Sequence, residues 1–353
     1  MSLLSKGRLS LLLLAVVGLV VALDGGRGEP LLTIPQLRAD PKVDGKVEPE
    51  EWARATVFSA FLDLKTHLLS SRKTLSLLGY TERALYIAFL CFGPSPQADR
   101  RPKDAKGIWE DDAVEVLLDP GRTLKRHFQF IGNAAGSVWD SMGDDPSWDA
   151  NWRFAVGLLP EGGWVAEFEI PFRSLGVEAP REGEIWGINL ARDCKAGGRA
   201  NLCLAPVLWS FHETEKFVAL KFGGRGDFTQ VLSLGRPHRG SVKVRTKLPA
   251  GAVLEVAVLR KGKPVMKEVL KGEAVAEAQI GERGRYEISL KATKDGEVLL
   301  SMKVPFDREP EVPLEIVKRF LLKGGVDLVA DLRPFEGKAK AVRARLLDLS
   351  GRA

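Results

Sequence analysis

Three cysteines and four histidines among 353 residues leave this chain poor in the side chains that build zinc sites. No Cys-x-x-Cys or paired Cys/His spacing occurs. A Gly-x-Ser-x-Gly elbow, a phosphate-binding loop and a His-Glu-x-x-His pattern are missing as well, so acyl transfer, nucleotide chemistry and zinc hydrolysis have no sequence support. His67, His127, His212 and His238 are too scattered to suggest a general base. Asp and Glu are plentiful, but no motif singles out the two carboxylates that glycoside hydrolysis needs on opposite sides of a cleft. Catalysis by this chain is not expected.

Helical periodicity is scarce too. From Leu75 to Phe222 apolar and polar residues alternate between turn signals, the period of half-buried strands. Thr74–Gly79 and Leu85–Phe92 read as a hairpin across Tyr80-Thr81-Glu82-Arg83. Phe154–Leu159 and Trp164–Ile170 read as another across Pro160-Glu161-Gly162-Gly163. Pro49–Ala55 is expected as one short helix, and Phe172–Leu175 as a turn after Ile170-Pro171. Many short strands at regular spacing predict an all-β chain whose first part is an antiparallel β-sandwich over residues 33–226.

After Gly223-Gly224-Arg225-Gly226 the texture changes. Val242–Arg245, Val253–Arg260, Val265–Leu270, Gly284–Ala292 and Val298–Pro305 predict a smaller immunoglobulin-like sandwich over residues 227–312. Residues 313–353 open a further β unit or complete the preceding one, through Leu314–Leu322, Val326–Leu332 and Ala339–Leu347. Residues 227–353 carry 25 Lys and Arg against 17 Asp and Glu, within an overall charge of +6. These charges are spread along alternating strands without aromatic interleaving, so a solvated face is expected and nucleic acid is not.

The longest uncharged apolar run, Leu9–Leu23, follows Lys6 and Arg8. It is short of the roughly 20 residues of a membrane span and has the proportions of a secretory signal peptide, residues 1–22, with cleavage after Ala22. A periplasmic or extracellular protein with no membrane segment in its mature form is the expectation. In such a compartment an odd cysteine count matters. Cys194 and Cys203 flank a Gly-containing loop that would let them pair, whereas Cys91 falls in an apolar strand as a buried free thiol.

Against these absences, one stretch stands out: Trp109-Glu110-Asp111-Asp112, then a strand in which Val114, Val116 and Leu118 alternate with Glu115, Leu117 and Asp119. An aromatic beside carboxylates at a strand end suits a sugar, since the ring stacks on a pyranose C–H face and the carboxylates accept hydroxyl hydrogen bonds. Equally, it describes a strand with an acidic rim and a Trp closing the core. Around it come Val43-Asp44-Gly45 through Glu51-Trp52, Ala84–Phe89, Asn133-Ala134-Ala135-Gly136, Gly163–Phe172, Trp186–Arg192, Trp209-Ser210-Phe211-His212 and Lys216–Leu220. In this order and spacing, residues 33–222 resemble the family 9 carbohydrate-binding module.

The resemblance implies a non-catalytic module that binds a polysaccharide or oligosaccharide, as an accessory part of a glycan-degrading, glycoside hydrolase-type system. It places a stacking ring at Trp109, a second at Phe211 or Trp209, and a hydroxyl-binding carboxylate at Glu115 on an exposed concave face. Asn133 and Arg192 are candidate donors. The chain departs from the pattern at Phe128 and Phe130, where polar contacts are expected, and at Ala191, where an amide is. Asp140, Asp144, Asp145 and Asp149 crowd what reads as one loop; hard oxygen ligands suit calcium, and the resemblance implies structural calcium, although the spacing is not that of an EF-hand and an acidic surface loop is the plainer reading. Two other classes stay open. One is a structural or protein-interaction spacer. The other is an electron-transfer sandwich holding haem between Met142 and His127, against which stand the polar neighbours Ser141, Gly143, Asp144 and Asp145.

Overall fold

The period-two alternation is realised as two large sheets packed face to face. The computed structural model describes residues 29–309 together with the strands Leu314–Ile316 and Leu328–Ala330. The front sheet runs, in spatial order, Lys263–Lys271, Ala252–Arg260, Gly284–Lys294, Glu297–Arg308, Leu31–Pro35, Val218–Gly223, Ile185–Cys194, Ala113–Asp119, Phe128–Asn133 and Val138–Met142. A short strand Ala200–Cys203 folds back on Ile185–Cys194 and carries Leu62–Asp63. The back sheet runs Glu273–Gln279, Ser241–Lys247, Gln230–Arg236, Thr56–Phe58, Thr74–Tyr80, Ala84–Phe92, Gly163–Pro171 and Arg153–Leu158. All pairings in these sheets are antiparallel except Leu31–Pro35 with Val218–Gly223 and Gln230 with Val57, which are parallel. The all-β sandwich is therefore the fold.

Inward-facing side chains fill the space between the sheets. Val114, Val116 and Leu118 from the front meet Ile87, Phe89 and Phe168 from the back in one contiguous core. Trp152 stacks on Phe168 with ring centroids 5.6 Å apart. Aromatic burial of this kind removes large apolar areas from water at about 25 cal/mol per Å².

Both sheets continue past Gly223–Gly226. Leu31 and Leu32 pair with Ser301 and Leu300, while Val57 N donates to Thr229 O at 2.9 Å. Val242, Val256 and Phe306 belong to the same core as Leu32 and Phe222. At the expected boundary, strands from either side therefore lie edge to edge and share hydrogen bonds. The expected hairpins appear as Thr74–Tyr80 with Ala84–Phe92 and as Arg153–Leu158 with Gly163–Pro171. The short helix is Pro49–Trp52, and Phe172–Leu175 is a 3₁₀ turn.

Several strands lie outside the sequence expectations, among them Leu31–Pro35, Thr56–Phe58, Gln230–Arg236, Glu273–Gln279 and Val138–Met142. Glu273–Gln279 reads Glu-Ala-Val-Ala-Glu-Ala-Gln, and helix-favouring residues masked its alternation until pairing with Ser241–Lys247 overrode propensity. Val138–Met142 was hidden by its Asp and Ser. Leu314–Ile316 and Leu328–Ala330 pair antiparallel; the rest of the expected third unit and the expected signal peptide lie outside the described residues. Among the described residues no helix is long and apolar enough to cross a membrane.

The cysteine expectation needs correction. In the hairpin that they flank, Cys194 stands opposite Ala200 and Cys203 opposite Ala191. That is three rungs apart, about 10 Å at 3.4 Å per residue, and on opposite faces, whereas a disulfide needs Cα atoms within about 7 Å. Cys91, Cys194 and Cys203 are all free and buried. Burial pushes the Cys91 and Cys203 thiols up to about 12.

Candidate functional site

On the outer surface of the front sheet, Glu115, Gln129, Ser141, Asp193 and Asn201 come from five neighbouring strands and floor one cleft of about 570 Å³. The strands' alternation puts them there: Glu115, Gln129, Asp193 and Asn201 are each offset by one residue from a core position, Val114, Phe130, Cys194 and Leu202. Gln129 Nε2 donates to Glu115 Oε2 at 2.8 Å, and Ser141 Oγ donates to Gln129 Oε1 at 3.2 Å. Loops cover this face, so Glu115 is only 3 % exposed and Asp193 2 %. The expected solvent-facing glutamate is thus a buried one. Burial, and the Glu115 carboxyl beside it, push the Asp193 carboxyl well above the ordinary carboxylate range.

Trp109 forms one wall. Gly107, at φ 84, turns the chain into the 3₁₀ helix Ile108–Glu110, a conformation that L side chains rarely adopt. Trp109 packs edge-on against Trp139 at 5.6 Å. Arg199 fixes this wall by donating to the carbonyls of Glu110 (2.6 Å) and Trp109 (3.2 Å). Trp209, Ser210, Phe211 and His212 also line the cleft. Trp209 is 84 % exposed, while Phe211 is buried.

This second wall is held in three ways. Asn189 Nδ2 donates to Phe211 O at 3.0 Å. Backbone N–H groups of Leu208 and Ser210 donate to Glu213 Oε1 at 3.1 and 2.8 Å; burial pulls the Glu213 carboxyl up, but the backbone donors outweigh it and hold it below its ordinary range. Finally, His212 Nδ1 meets His127 Nε2 at 2.8 Å. Burial first, then the neighbouring His212, lower His127 to about 4, so it is neutral near pH 7. With this ring nitrogen engaged by His212, the arrangement does not favour the haem pairing of His127 with Met142.

The acidic stretch before the strand serves mainly to tie loops over the sheet. Asp111 is buried and accepts from Arg101 Nε (3.0 Å), Lys195 Nζ (3.0 Å) and Asn133 Nδ2 (3.0 Å). Burial alone would raise its carboxyl, yet these donors and the Asp99 N–H hold it at about 2. Asp112 accepts from the N–H groups of Gln97, Lys195 and Ala196.

Of the residues expected from sequence, Trp109, Glu115, Trp209 and Phe211 meet in the cleft, and Asn133 and Arg192 do not. Asn133 is fully buried, with its amide spent on Asp111, Asp99 O and the N–H groups of Ala135 and Ser137. Arg192 points inward and crosses to the back sheet, donating to Thr74 Oγ1 at 2.9 Å and to the Lys73 and Phe92 carbonyls. Its neighbour Asp193 occupies the outer face. Choosing position 192 was a one-residue error of phase, which in a strand exchanges faces. Asp193, Gln129, Ser141 and Trp139 were missed, although each falls on the same phase as Glu115 within its strand.

The four aspartates expected as calcium ligands also separate. Asp140 lies on a strand rather than a loop, buried, accepting from Ala150 N (2.9 Å) and Trp152 Nε1 (2.8 Å) beside Lys103 Nζ (3.3 Å). Asp149 pairs with Lys103, Asp145 accepts from Ser147 Oγ at 2.6 Å, and Asp144 lines the cleft. Among the described residues no group of three His, Cys, Asp or Glu side chains converges on a metal position.

No family model matches this chain, and no curated protein matches it. Among solved structures, a family 9 carbohydrate binding module from Caldicellulosiruptor kristjanssonii in complex with cellotriose is similar at 16 % identity, over 56 % of this chain and 95 % of that one, with a TM-score of 0.44. A glucose complex of a family 9 module from the same organism is similar at 15 % identity, over 56 % and 97 %, with a TM-score of 0.41. The sandwich assignment stands on the strand pairing itself.

Proposed function

We propose that this protein binds a saccharide in the front-sheet cleft and performs no chemistry on it. One observation carries the reading: three tryptophans, Trp109, Trp139 and Trp209, border a floor of hydrogen-bonding side chains from neighbouring strands. A pyranose has an apolar C–H face and a hydroxyl edge, and this cleft offers a partner for each. The carboxyls of Glu115 and Asp193 sit together on the floor, instead of flanking a scissile bond from opposite sides as hydrolysis requires. Export through the Lys6–Ala22 segment and an accessory role in a glycan-degrading system complete the proposal; the basic-then-apolar pattern supports the first and the resemblance to family 9 modules the second.

Calorimetry of the full chain against mono- and oligosaccharides tests the binding. Trp209→Ala should weaken it about tenfold, the loss of roughly 1.4 kcal/mol of stacking. Since that ring is 84 % exposed, stability should change by less than about 0.5 kcal/mol. A wild type that binds no saccharide would leave a structural spacer as the better account.

A further inference from the structure

The cleft floor holds one acid more than a neutral sugar needs. Glu115 and Asp193 lie on adjacent strands, with Glu115 opposite Ala191 and Asp193 opposite Ala113, so their side chains meet diagonally on the outer face. Glu115 receives the Gln129 amide, which Ser141 orients. Asp193 Oδ2 is buried and, among the described residues, receives no N–H donor. Burial, and the Glu115 carboxyl beside it, hold the Asp193 carboxyl well above the ordinary carboxylate range. The surrounding ionisable groups are Arg199 and Lys106 at the rim, Asp144 on the turn, Asp112 behind Asp193, and His212 on the facing loop. Arg199 is directed along the wall by the Glu110 and Trp109 carbonyls, and among the described residues no cation bonds the pair directly.

A hydroxyl needs only one acceptor here, and a second buried acid beside it is a desolvation cost with no return. A cation would satisfy both carboxyls. The walls select the same charge, because the π faces of Trp109, Trp139 and Trp209 attract ammonium groups. The chain's net charge of +6 gives no general attraction for cations, so selectivity would have to be local.

We propose that the cleft is selective for pyranosides carrying a free ammonium group, an amino sugar or its oligomer, with the ring on Trp109 or Trp209 and the ammonium between Glu115 and Asp193. This rests on the saccharide reading above. An ammonium seated there favours the ionised form of Asp193, whose charge burial otherwise opposes.

The test is calorimetry of the full chain with a glucosamine tetrasaccharide, its fully N-acetylated counterpart and a cellulose-type glucose tetrasaccharide. It is run at about pH 6.5, roughly a unit below the ordinary α-amino range. The amine ligand should bind about tenfold more tightly than either neutral one, as expected for an added charge-assisted contact. In Asp193→Asn the ratio of amine to neutral affinity should shrink to about twofold or less, since the amide keeps the shape and removes the second acid. The wild type's ratio of amine to neutral affinity decides the matter even if the variant folds poorly. Equal affinities, or an undiminished preference in a folded Asp193→Asn, would overturn amine selectivity while leaving saccharide binding intact. Failure of all three ligands would overturn both.

Discussion

Two parts of one front-and-back scaffold use the same strand alternation to opposite ends. In Ser241–Lys247 the inward Val242, Val244 and Thr246 are buried, and the outward Lys243, Arg245 and Lys247 are exposed. In Ala113–Asp119 all seven residues are buried. The outward set there is Ala113, Glu115, Leu117 and Asp119, all buried, with Glu115 in the cleft between Trp109 and Trp209 and Asp119 held by the Thr123 and Leu124 N–H groups. Where the outer face meets water, polar residues cost nothing and indicate nothing. Where loops cover it, each polar group must be satisfied or destabilise the fold. Asp111, Asp112 and Asp119 are satisfied within the protein; among the described residues Asp193 Oδ2 lacks an N–H donor. That contrast, rather than acidity as such, marks the site.

The largest effect that would break the contrast is on stability. Asp111→Ala removes a buried carboxylate from Arg101, Lys195 and Asn133, and should cost about 3 kcal/mol, the low end for buried pairs because both cations are partly exposed. The sign with pH follows. Its folded value, about 2, lies below the ordinary 3.8, so this contribution is complete above the ordinary value and disappears as pH falls through about 2. Urea denaturation of wild type and variant at pH 7 should differ by that amount, and the gap should close in acid. A gap that persists unchanged at low pH would show that the loss is one of packing, not charge.

These differences bear on what residues alone can reveal. The strands were legible because Val114, Val116 and Leu118 alternate, and so were Trp109 and Glu115, which share one local stretch. Asp193 was not, because choosing between it and Arg192 requires the phase of a strand in which both residues are polar and both are buried. Asp140 looked like a loop ligand because nothing local announces that Trp152 and Ala150, twelve and ten residues away, will donate to it. Continuity across Gly223–Gly226 depends on Leu31–Pro35 inserting between Val218–Gly223 and Glu297–Arg308, a contact between distant segments that no composition shift encodes.

A smaller effect should separate the two walls. Trp109 is 37 % exposed and packs edge-on against Trp139 at 5.6 Å. Trp109→Ala should therefore lower stability by about 1 kcal/mol, the scale of an aromatic pair, and weaken saccharide binding about tenfold. Trp209→Ala should change affinity alone. Thermal melts beside calorimetry distinguish them; equal stability losses in both would place Trp209 in a packed role that its exposure contradicts.

The smallest effect is expected on the open outer face. Lys243 and Glu277 form an ion pair at 2.6 Å, with side chains 51 % and 56 % exposed. Water screens such a pair, and ordering two long side chains offsets much of its Coulombic gain, so Lys243→Ala should cost no more than about 0.5 kcal/mol. That loss should shrink further in 1 M salt, where the screening length is about 3 Å. Saccharide affinity should not move, because Lys243 lies on the back sheet and the cleft is on the outer face of the front one. Denaturation at low and high salt, with calorimetry of the same variant, measures both. If Lys243→Ala destabilised the chain as much as Asp111→Ala, burial of the outer face would not be what separates the two regions, and Asp193 would lose its standing as an unsatisfied group in a site.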